Sequence, residues 1–122
     1  MKKVANVLIA FVALEHLGFL VLEMFFWTRP FGMETFGLTK EFALQSASLA
    51  ANQGLYNGFL AAGLLWGLLK KTDALGVKVF FLACVVVAGI FGALTAKMSI
   101  LYVQAAPAIL ALALLALTHR NK

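Results

Sequence analysis

A run of apolar residues from Val4 to Phe26, interrupted by Asn6, carries Glu15, His16 and Glu23. As a helix that run is ~35 Å long, enough to cross a bilayer. Two carboxylates and an imidazole are thereby committed to a depth where water is scarce. A charge at bilayer mid-depth costs at least ~2.5–3.5 kcal/mol on insertion scales. Any fold open to this chain must bring partners to those three groups.

Three more apolar runs follow, and they account for most of the remaining sequence. Only 12% of the residues are charged, against ~25% in an ordinary soluble domain. A soluble four-helix bundle would need a polar stripe on every helix, and only the second run has a broad one. The expectation is an all-α, single-domain protein over residues 1–122, a four-span transmembrane helical bundle with spans near 4–26, 44–69, 77–96 and 100–117. Met1-Lys2-Lys3 ahead of an apolar stretch has the look of a signal peptide. The stretch is too long for a signal core, however, and it ends in Trp27-Thr28-Arg29-Pro30 rather than at a small-residue cleavage site. It is read as a retained first span.

An even number of spans puts both termini and the second loop on one side. That side gathers Lys2, Lys3, Lys70, Lys71, Lys78, Arg120 and Lys122, while the other has Arg29, Lys40 and Lys97 with Glu34 and Glu41. The asymmetry places both termini in the cytoplasm, with the chain multi-pass in the membrane. The net charge of +5 is then topological. With no aromatic-basic patch, nucleic acid is not an expected partner. The lipid bilayer is.

On the first span, His16, Glu23 and Trp27 share one stripe, since offsets of 7 and 11 residues return to nearly the same azimuth, and Glu15 lies about 100° away. The loop from Thr28 to about Lys40 mixes Pro30, Gly32 and Gly37 with Phe31, Met33 and Phe36, which predicts a short interfacial segment. Thr39 is positioned to cap the next helix. That helix, about Lys40 to Leu69, has a polar edge of Asn52, Gln53, Tyr56 and Asn57 within about 140° of arc. Gly54, Gly58, Gly63 and Gly67 form a second edge on which backbones can approach closely. Whether that edge packs inside the bundle or against a second copy in a homo-oligomer stays open. The second loop is read as Lys70 to Gly76, and the third span as a nearly featureless lipid-facing or packing helix. The fourth span brings Tyr102 and Gln104, followed by Pro107, which predicts a kink.

The expected polar centre is a pocket in the outer half of the membrane. Glu15, His16 and Glu23 are its candidates for proton-transfer chemistry, and Trp27, Asn52, Gln53, Tyr56, Asn57, Tyr102 and Gln104 its candidates for ligand binding. Carboxyl and imidazole groups together can trade protons near neutral pH, and amides with a phenol can orient the polar head of an otherwise apolar or lipid-like molecule. The spacing is no metal-ligand signature, and no metal site is expected. Nor do the residues name a cofactor. Two alternatives stand beside a ligand pocket: a proton-coupled small-molecule carrier, and a polar network that only fixes helix register.

The strings Ala13-Leu14-Glu15-His16, Glu23-Met24-Phe25-Phe26-Trp27, Phe36-Gly37-Leu38, Ala51-Asn52-Gln53-Gly54-Leu55-Tyr56-Asn57-Gly58 and Val103-Gln104-Ala105-Ala106-Pro107 resemble the small bacterial membrane family catalogued as domain of unknown function 1304. The resemblance covers nearly the whole chain. It implies a four-span integral membrane protein and groups Glu15, His16, Glu23, Asn52, Gln53, Tyr56, Asn57 and Gln104 as one set. It supplies no activity.

Overall fold

The structure, a computed structural model, describes residues 1–120; Asn121 and Lys122, the latter counted among the basic residues above, lie outside the described residues. The described chain is all-α. Its elements are α1 (Lys2–Phe25), α2 (Pro30–Phe36), α3 (Lys40–Leu69), α4 (Ala74–Thr95), a π-helical turn (Leu101–Ala105) and α5 (Ala106–Arg120). Three helical stretches among them, α1, α4 and Leu101–Arg120, are long and apolar enough to cross a membrane. That makes this a multi-pass membrane protein. With 30 residues α3 also has the length, but its polar edge dilutes its hydropathy.

The chain divides into two compact units. One comprises residues 1–14 with the chain from Leu60 onward, the other Glu15–Phe59. In the first unit, Ala5, Ile9, Val12 and Ala13 of α1 form one core with Leu64 of α3, Leu82 and Val85 of α4, and Ala108, Ala111 and Leu115 of α5. The glycines of this unit mark where backbones meet. A Cβ on Gly89 would lie 2.7 Å from the Ala105 Cβ and 2.9 Å from the Ala105 nitrogen, and one on Gly92 would lie 3.0 Å from Ile100. Gly63 is filled in the same way by the Phe81 ring, and Gly67 by Lys78.

Helix α4, expected from the sequence to be a nearly featureless span, is not featureless. Lys78, Leu82, Val85 and Gly89 form a buried stripe along α4, with Lys78 only 7% exposed. Its ammonium donates to Asn6 Oδ1 of α1 at 2.8 Å, so polar residues of two largely apolar helices meet each other. The turn before α4 is shorter than the sequence suggests. Asp73 takes a left-handed φ of 51°, which reverses the chain early and lets the helix begin at Ala74. The kink expected at Pro107 takes the form of the π-helical turn just upstream, where the Ala106 N–H bonds to the Leu101 carbonyl. Widening the helix there relieves the clash between a proline ring and the preceding turn.

The second unit contains the C-terminal part of α1, α2 and the N-terminal part of α3. The interfacial segment is a helix of 7 residues with Pro30 in its first turn and Gly37 at its end in the left-handed region, φ 65°. The Gly37 N–H reaches Glu34 O and the Leu38 N–H reaches Met33 O at 2.8 Å, the paired bonds by which a left-handed glycine closes a helix. Gly32 is buried with its Cα against the Phe26 carbonyl, where a side chain cannot fit. Thr39 caps α3, its Oγ1 accepting from the Phe42 N–H at 3.2 Å.

Candidate polar site

The contact between α1 and α3 in the second unit is made by small residues. The buried positions of α3 here are Ala43, Ala50, Gly54 and Asn57, a helical stripe. A Cβ on Gly54 would sit 2.8 Å from Met24 Cγ and 3.1 Å from Glu23 Cβ, and one on Gly58 2.6 Å from Leu20 Cδ1. The glycine edge therefore serves packing within the chain, and it draws Asn57, one turn below Gly54, against α1.

That approach creates the central interaction of the unit. Asn57 Nδ2 donates to Glu23 Oε1 at 2.9 Å, with Asn57 7% exposed. An amide–carboxyl bond shielded from water needs no further partner on the donor used, and it fixes the rotation of α3 against α1. Nearer the end of α1, the Trp27 indole N–H donates to Ser46 Oγ at 3.0 Å, while Ser46 Oγ donates to Phe42 O at 2.6 Å. The Trp27 ring also stacks at a tilt on Phe36 of α2, 5.0 Å between centroids. Trp27 thus joins all three helices of the unit.

Of the other span-one candidates, His16 is fully buried and sets its ring edge-on to Phe19, 5.5 Å between centroids. Glu15 places Oε2 in a buried position with no hydrogen-bond partner among the described residues. Asn57 is the member of the polar edge of α3 that bonds to Glu23. Asn52, Gln53 and Tyr56 are exposed, and no side-chain hydrogen bond among the described residues occupies them. Tyr102 is exposed and Gln104 part-buried; both lie in the first unit, on the π-helical turn. No group of three or more His, Cys, Asp or Glu side chains among the described residues could hold a metal ion.

The Lys78–Asn6 pair is not among the contacts expected from the sequence. The signal was present, because Asn6 is the one polar residue between Val4 and Leu14 and Lys78 stands four residues inside α4.

Residues 10–116 match the family described as "Protein of unknown function (DUF1304)". A curated relative, the uncharacterized protein YpaA of Lactococcus lactis subsp. lactis (strain IL1403), is 31% identical over 103 residues, covering 83% of this chain and 87% of the relative. No solved structure matches.

Proposed function

The chain belongs to the DUF1304 family, and from that premise we propose that it is a four-span protein of a bacterial inner membrane, with both termini cytoplasmic, that binds a small, largely apolar ligand at the polar site of its second unit. The observation that carries this reading is the Glu23–Asn57 bond with uncommitted polar groups beside it. Asn57 holds the Glu23 carboxyl, and Gln53 and Tyr56 are close to it along α3 with open amide and hydroxyl groups. A ligand with one polar head and an apolar body would meet hydrogen-bonding groups at one end and helix surface or lipid at the other. Glu15, His16 and Glu23 are the groups proposed to move a proton, should the ligand be transformed. Tyr102 and Gln104 belong to the other unit and are not needed for this reading. The span additional to α1, α4 and Leu101–Arg120 is α3, second in chain order, and the basic residues at the start of α1, between α3 and α4 and at the end of α5 set the orientation.

The test is native mass spectrometry of the protein extracted in mild detergent. A small molecule should co-purify with the wild type, be lost from Glu23→Ala, and be retained by Glu34→Ala, which alters an exposed residue of α2. Labelled-solute uptake into proteoliposomes separates a carrier from a binding protein or enzyme.

One observation favours a second reading, that the polar groups only fix helix register: Asn57 already satisfies an oxygen of Glu23. On that reading Glu23→Ala lowers stability, and no small molecule is found in either protein.

A further inference from the structure

At one end of the first unit, the opening turns of α1 and α4, the turn between α3 and α4, and the last turn of α5 border a cleft of about 580 Å³. Four bases line it, Lys2, Lys71, Lys78 and His119, against one acid, Asp73. Lys78 is the buried member. One of its three donors goes to the neutral amide of Asn6, and the ammonium groups of Lys2 and Lys71 share the cleft with it. No carboxylate pairs with it among the described residues. A sequestered ammonium without a counter-charge is unfavourable, so the cleft is short of an anion.

A second observation points the same way. The first turn of α4, Ala74 to Gly76, also borders the cleft. Asp73 stands at its N-cap position in the left-handed conformation and makes no capping hydrogen bond with its side chain. Backbone N–H groups at the start of a helix without a cap seek an acceptor, and the helix dipole adds partial positive charge there. Leu75 and Leu115 give the same cleft an apolar wall.

We propose that this cleft binds the phosphate headgroup of an anionic phospholipid. Lys78 and the uncapped amides of α4 take the phosphate oxygens, and Lys2 and Lys71, both exposed, hold the negative charge at the rim. A free phosphate shares the chemistry of the headgroup. The lipid is favoured because the cleft lies at the ends of three helices able to cross a membrane, where headgroups are found, and because its Leu75 and Leu115 wall suits an acyl-bearing ligand. Basic pockets at the cytoplasmic ends of membrane helices recognise headgroups in this way.

The full-length protein in mild detergent, mixed with equal amounts of phosphatidylglycerol and phosphatidylcholine, is read by native mass spectrometry. Preferential retention of phosphatidylglycerol is expected, falling about fivefold for each rim lysine removed in Lys2→Gln and Lys71→Gln. Lys40→Gln with Lys97→Gln, which lie outside the cleft, should leave retention unchanged. Lys78→Gln probes the buried ammonium. If that variant does not fold, the two rim substitutions still decide. Equal retention of the two lipids, or retention indifferent to the rim lysines, overturns the proposal. Displacement of the lipid by millimolar inorganic phosphate assigns the cleft to free phosphate and overturns the lipid assignment.

Discussion

Glu23 and Asn57 stand 34 residues apart in the chain and meet at 2.9 Å. Helical periodicity puts Glu23 on a stripe with His16 and Trp27, and Asn57 at the border between the polar and glycine edges of α3, so each half of the pair is legible in the sequence. Which polar residue of α3 turns toward α1 is not. Asn52, Gln53, Tyr56 and Asn57 can each donate to a carboxyl, and the choice is made by Gly54, whose missing side chain lets Glu23 and Met24 approach. Breaking the bond should cost about 1 kcal/mol, between the ~0.6 average for polar contacts in membranes and the 1–3 for a buried group left unpaired. Asn57→Leu should therefore lower the unfolding free energy in mixed detergent micelles by about that amount, while Glu23→Gln, which keeps an acceptor oxygen, should cost less than half as much. Equal stability of Asn57→Leu and the wild type would show that the bond carries no weight.

At the level of whole helices, α3 begins and ends where the sequence puts it, at Lys40 and Leu69, because Thr39 is a strong cap and the basic turn a strong stop. The segment from Pro30 is different. Its helix of 7 residues is too short to show a periodicity, and proline and glycine, which read as loop, are here the start and stop of the helix. The glycines of α4 are the sharpest test of element packing. Gly89→Val should push the π-helical turn away from α4 and destabilise the protein by about 1–3 kcal/mol, since a Cβ there already meets Ala105. Gly18→Ala, with nothing within 4 Å of the new methyl group, should instead stabilise α1 by up to ~1 kcal/mol. The same unfolding titration compares the two. If Gly89→Val is as stable as the wild type, the close contact between α4 and the turn is not needed for packing.

Across the whole molecule, the proposed orientation puts α2 outside the cell and the turn between α3 and α4 inside. With Cys84, the single cysteine, replaced by alanine, a membrane-impermeant maleimide applied to intact cells should label Glu34→Cys and spare Thr72→Cys; the reverse pattern would invert the topology. Membrane character was plain from the apolar runs, but contacts between runs were not, because a hydrophobic pattern shows which face is buried and not against what. The Lys78–Asn6 pair is the clearest case: the pattern shows a lysine in the first turns of α4 but not the α1 side chain that its ammonium meets. Its partner lies 72 residues earlier in the chain, so Asn6 leaves the ribosome well before Lys78 does. When α4 is delivered to the bilayer, α1 is already waiting with an acceptor in hand. The order of synthesis thereby allows a helix bearing a cation on its inner face to be integrated beside a ready-made mate.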